Sequence, residues 1–138
     1  MIQEDILLTS LKQKGYIFNE AELKEESKLF HKALEEIVVE KDIIAEDKLA
    51  QLKGEILNLP VKIFDKKEVV TREILNIIEE SAARNYKLVV FGKDSEFIHI
   101  ACLYPEENKS FEAINFTAKQ LGLKLKLYVT TFSGLQRI

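Results

Sequence analysis

The chain has 138 residues, 46% of them apolar and 31% charged, with a formal net charge of −3. That size and balance suit one domain or two small ones with a real core, and exclude a disordered chain. The longest apolar runs, such as Leu88 to Phe91, fall far short of the roughly 20 residues that cross a bilayer.

The opening residues, Met1 to Asp5, are acidic and lack the basic-then-apolar order of a secretory signal. Cys102 is the single cysteine, so an internal disulfide is excluded and a reducing, cytoplasmic setting is expected. Charge is uneven along the chain. Residues 1–60 carry 8 Lys against 13 Asp and Glu, and residues 61–138 carry 12 Lys and Arg against 10. An acidic first half does not suit phosphate backbones, so no nucleic-acid partner is expected.

The first sixty residues read as helices. Leu7, Leu8 and Leu11 recur at helical spacing, and Gly15 fits a C-terminal stop. Asn19, with Glu22 three positions on, opens a second helix anchored by Leu23, Leu29 and Phe30. Leu34, Ile37 and Val38 supply the next apolar face. Glu46 and Asp47 favour a further helix start, with a buried stripe of Leu49, Leu52, Ile56 and Leu57. Leu59 and Pro60 end it, because the residue before proline avoids helical angles.

Beyond Pro60 the pattern changes. Val61 to Phe64 reads as a short strand, and Thr71 caps a helix running to about Asn85 through Ile74, Leu75 and Ile78. Lys87 to Phe91 is a buried strand, residues 92–95 are a turn, and Phe97 to Cys102 completes a hairpin. Ser110 to Leu121 is helical, with Phe111, Ile114, Ala118 and Leu121 on one face, and Gly122 stands just past its end. Leu123, Leu125, Leu127 and Val129 then alternate with Lys124, Lys126, Tyr128 and Thr130, which is a strand with one wet face. The expected fold is therefore α+β: a helical part, residues 1–60, followed by a β-α-β-β-α-β part, residues 61–138. Its mainly antiparallel sheet would be covered by helices on one face.

The helical part holds a weak internal repeat. Leu11 to Ile17, followed by Asn19 to Leu23, matches Val38 to Ile44, followed by Glu46 to Leu49. Two helix-turn-helix units with similar punctuation and a true duplication both fit this pattern.

No side chains are spaced for catalysis. His31 and His99 lack a second metal ligand at suitable spacing, so neither a metal nor a cofactor is expected. Cys102 has no basic neighbour to lower its pKa and reads as a buried structural thiol. The five glycines form none of the phosphate-binding, dinucleotide-binding or nucleophile-elbow motifs. The pairs Glu25-Glu26, Glu35-Glu36 and Glu79-Glu80 read as solvated helix faces. Tyr16, Phe18 and Tyr104 are the candidate partner anchors, since aromatic side chains dominate interface hot spots.

The run Ala33 to Leu49-Ala50, then Glu55 to Val61, resembles the N-terminal domain of the assembly ATPases of type II secretion and type IV pili. Glu79 to Tyr86 is similar to that family's helix end before a strand, and Ile100 to Pro105 to its second strand end. The resemblance extends most clearly from about Ala33 to Val129. It implies an adaptor that docks the motor to a platform or adaptor protein on the cytoplasmic side of the inner membrane, without inserting into the membrane. It also implies that the ATPase core lies outside these residues, so this chain is not itself an enzyme.

Some members of that family bind cyclic di-GMP through two tandem helical motifs that begin Arg-Leu-Gly. Here Ala33 and Glu35 stand in place of the arginine and first glycine of the second copy, and Asp42 in place of its later glycine. Ile56 takes the glutamine-like place. The first copy keeps Gly15 but has Ile6 to Leu8 at its start. Guanine and phosphate recognition relies on the arginine fork and on close glycine backbone. The expectation is therefore that cyclic di-GMP is not bound. The rival readings are a cyclic di-GMP receptor and a stand-alone small-molecule-sensing α+β domain that pairs its sheets into a dimer.

Overall fold

A computed structural model describes residues 3–105 and 111–137. The chain divides into two compact units, Ile2–Lys53 and Gly54–Ile138. The architecture is α+β with N-terminal helices, as expected from the sequence.

The first unit contains α1 (Glu4–Gln13), α2 (Glu20–Phe30), α3 (Leu34–Glu40) and most of α4 (Glu46–Leu57). Leu7, Leu8, Leu11, Leu23, Leu34, Ile37, Val38, Ile44, Leu49, Ala50 and Leu52 are all buried. Asn19 caps α2 as the sequence predicts, its side chain accepting from the Glu22 N–H at 3.1 Å. Leu29 and Phe30 do not anchor that helix. They are 67% and 60% exposed, and Leu23 is its buried residue.

Each of the four helices ends on a residue in the left-handed region: Gly15 (φ 90°), His31 (φ 52°), Asp42 (φ 57°) and Asn58 (φ 56°). The following N–H reaches back five residues in every case. Tyr16 bonds Leu11 O at 3.1 Å, Lys32 bonds Ser27 O at 3.2 Å, Ile43 bonds Val38 O at 2.9 Å and Leu59 bonds Gly54 O at 2.9 Å. This is the Schellman arrangement, which satisfies carbonyls that the helix end leaves bare. The repeat is regular: position 42 is 27 after 15, and position 58 is 27 after 31. Glycine performs the reversal in the first copy and aspartate in the second.

The second unit contains α5 (Arg72–Leu75), α6 (Glu80–Tyr86), β1 (Leu88–Lys93), β2 (Phe97–Cys102), α7 (Phe111–Gln120), β3 (Lys124–Val129) and α8 (Phe132–Arg137). Strand order is β1-β2-β3. The expected hairpin forms, with Leu88 opposite Cys102 and Val90 opposite Ile100, and a bulge between Val90 and Gly92. β2 and β3 run parallel, with Ile98 opposite Leu125 and Cys102 opposite Val129. The sheet is thus mixed rather than mainly antiparallel. The cause is α7, a crossover that returns the chain to start β3 in the direction of β2.

Two further expectations change in detail. Val61 to Phe64 is no strand. Val61 forms a single parallel bridge with Val129, held by Lys62 N–H to Val129 O at 2.8 Å and Val129 N–H to Pro60 O at 2.9 Å. The chain then turns at Asp65, whose carboxylate accepts from Lys67 N–H at 3.0 Å. The helix expected from Thr71 to Asn85 is two pieces, α5 and α6. The gap holds Asn76, Ile77 and Ile78, residue types with low helix propensity.

The helix-facing side of the sheet is a continuous apolar core. Leu88, Val90, Ile98, Ile100 and Cys102 pack with Ile114 and Ala118 of α7 and with Ile78, and Leu123, Leu125 and Leu127 border them. Leu121, expected on this face of α7, is 51% exposed, and the side chain of Phe111 lies outside the described residues.

Candidate protein-interaction site

The reversal between α1 and α2 presents its aromatics on a short, rigid turn. Gly15 supplies the left-handed step, and nothing lies within 4 Å of where its Cβ would stand, so backbone conformation alone calls for glycine. Tyr16 and Phe18 are half-buried. Lys12 holds its Nζ 6.0 Å from the centre of the Phe18 ring and pairs with Glu20 at 2.6 Å. The Lys12 and Lys24 hydrogen bonds hold the Glu20 carboxyl below its ordinary pKa. Between the two aromatics, Ile17 is 93% exposed, whereas its counterpart 27 positions on, Ile44, is 3% exposed. Sequence reading singled out the flanking aromatics and passed over the most exposed apolar side chain between them.

Tyr104 belongs to the other unit. It is half-buried after β2, with Lys87 Nζ 5.3 Å from its ring centre. Lys87 is itself left-handed (φ 54°) at the end of α6, which aims the chain into β1.

The sheet side away from the core carries a cluster that the sequence only partly shows. Phe91, His99 and Tyr128 stand on neighbouring strands, with Phe91 and Tyr128 edge to face at 5.0 Å and Phe64 and Phe91 edge to face at 5.6 Å. His99 is fastened at both nitrogens. Nε2 lies 2.8 Å from Asp94 Oδ2, and Nδ1 lies 3.0 Å from the Tyr128 hydroxyl. A carboxylate only accepts, so neutral His99 carries its proton on Nε2 and accepts from Tyr128 at Nδ1. Asp94 also accepts the backbone N–H groups of Glu96 (2.8 Å) and Phe97 (2.7 Å). Those two bonds first, and His99 next, draw its pKa down to about 2. The arrangement ties the hairpin turn to β3. It offers no nucleophile or open metal position, and no cluster of three or more metal-ligating side chains exists among the described residues.

Glu35 corrects the reading of the glutamate pairs. It is 6% exposed and pairs with Lys53, itself 2% exposed, at 2.8 Å. Burial is tolerable because the opposite charge is in contact. Glu36 and the Glu79-Glu80 pair are exposed, and so is Glu25. Glu26 is half-buried beside Lys41 at 2.6 Å. Cys102 is buried, as expected, with its thiol 3.6 Å from Tyr128 O. Among the described residues, no helix is long and apolar enough to cross a membrane.

No family model matches the chain, and no curated protein matches it. Solved structures do. One described as MshE with cdg superposes with a TM-score of 0.73 at 18% identity, covering 94% of this chain and 93% of that one. The N-terminal domain of XpsE in one crystal form gives a TM-score of 0.63 at 17% identity, covering 99% and 94%. A second crystal form of that domain gives 0.52 at 17% identity, covering 98% and 95%. The fold is thus the one that the sequence resemblance implied, over nearly the whole chain.

Proposed function

We propose that this chain is a non-catalytic adaptor module of a secretion or pilus assembly motor, docking it to the cytoplasmic side of an inner-membrane platform. The observation that supports this reading is the likeness of fold to MshE and to the N-terminal domain of XpsE over nearly the whole chain, taken with the sequence resemblance to the N-terminal domains of such motors. Tyr16, Phe18 and Tyr104 are the proposed anchors, with the ring contacts of Lys12 and Lys87 restricting two of them before binding. The test is co-elution of the purified chain with the cytoplasmic portions of platform proteins from the same cell. Binding that weakens about tenfold or more on Tyr16→Ala with Phe18→Ala, or on Tyr104→Ala, supports the reading. No co-elution with any platform protein overturns it.

A second reading, a receptor for cyclic di-GMP, has its own support. One neighbour in fold was solved with cdg, and this weighs against the expectation that the dinucleotide is not bound. The helical unit also repeats its helix-reversal-helix geometry. Calorimetric titration with cyclic di-GMP decides: saturable micromolar heat establishes the receptor, and a flat trace restores the sequence-based expectation.

A further inference from the structure

The C-terminal turn of α2 places two large apolar side chains in water. Leu29 and Phe30 are 67% and 60% exposed. The residues 27 positions on, Ile56 and Leu57, are half-buried at the corresponding end of α4. The second copy of the repeat therefore shields the positions that the first leaves open.

What lies beside the pair defines its chemistry. Glu25 and Glu26 stand one helical turn before Leu29 and Phe30, and Glu22 a further turn back, so an acidic row continues the apolar pair along the helix. Glu22 and Glu26 share a single cation, Lys41, at 3.4 and 2.6 Å. Residues 2–53 carry 12 Asp and Glu against 8 Lys, a net of −4.

We infer that this end of α2 is the docking strip for a basic amphipathic helix of a partner protein. Leu29 and Phe30 take the partner's apolar face, and the glutamate row pairs with its Lys or Arg side chains. Apolar contact supplies affinity, and complementary charge supplies orientation and speed of encounter. A second copy of this chain would bring like charges together, and an anionic membrane would be repelled by the same row. The inference rests on the adaptor reading and names the chemistry of the partner that this face accepts.

The test titrates the full chain, isotopically labelled, with a synthetic leucine/lysine amphipathic helix and with its leucine/glutamate counterpart. The expected result is saturable binding of the basic helix alone, with amide shifts concentrated between Glu22 and Phe30. Leu29→Ser with Phe30→Ser should weaken it about tenfold or more. Glu22→Lys with Glu25→Lys should weaken it as well. Both pairs are at the surface, so a thermal melt matching the parent verifies the fold. An unchanged affinity in L29S/F30S overturns the inference, as does equal binding of the acidic helix. Self-association that L29S/F30S abolishes also overturns it, in favour of a second copy. If platform proteins co-elute with the chain and L29S/F30S does not affect them, the adaptor reading stands and this inference alone falls.

Discussion

The two units solve the problem of holding a chain together in different ways. The α/β unit relies on an apolar sheet face under helices, with Ile98 and Ile100 fully buried at its centre. The helical unit relies on punctuation: left-handed reversals at Gly15, His31 and Asp42, a side-chain cap at Asn19 and the buried Glu35–Lys53 ion pair. Its surface pairs, such as Lys32–Glu40 at 2.9 Å and Lys24–Glu20 at 3.3 Å, add little because water screens them. The first spreads its stability over many apolar contacts, whereas the second concentrates it at a few positions with special backbone or charge.

The sharpest break in that contrast is Lys53→Ala. It strands the Glu35 carboxylate in the interior and should cost about 3–5 kcal/mol, read from urea unfolding. Lys53→Met combined with Glu35→Leu should recover most of that loss, which would separate pairing from packing. Next is Ile100→Ala, which hollows the sheet core and should cost about 2–5 kcal/mol, with circular dichroism melts as the measure. The reversals give a smaller, paired effect. Gly15→Ala should lose about 1 kcal/mol and Asp42→Gly should gain a few tenths to about 1, because only one copy of the repeat already has the residue its backbone prefers. Equal responses at 15 and 42 would show that the two copies do not share one reversal geometry.

The smallest effect is a pH response of the hairpin. Asp94 has its pKa lowered from 3.8 to about 2, so the ionised form is favoured by folding. Its contribution is present above the unfolded value and is lost as pH falls toward 2. Protection of the Glu96 and Phe97 amides relative to their intrinsic exchange rates should fall over that acid range, and Asp94→Asn should flatten the dependence.

Local signals were legible in the sequence. Gly15, the Asn19 cap, the hairpin and the alternation from Leu123 to Val129 depend on neighbours within a few positions. What was not legible depends on distant residues. Glu35 reads as a surface residue until Lys53, on another helix, is brought beside it. Strand alternation shows which face is wet but not which direction the strand runs, so the parallel β2–β3 pairing was hidden. The links from His99 to Asp94 and Tyr128 join side chains 5 and 29 positions apart, and no motif marks them. The exposure of Leu29 and Phe30 was missed because apolar type was read as burial, which holds more often than it fails.

The bulge in β1 bears on how this molecule behaves when crowded. β1 closes one end of the sheet, where a flat row of amide groups would invite further strands to stack into fibres. The irregular step after Val90 bends that rim, and Lys93 adds a charge that repeated copies would have to bring together. Concentrated preparations should therefore resist fibrillar growth from this edge, and straightening the rim by deleting Phe91 should remove that protection.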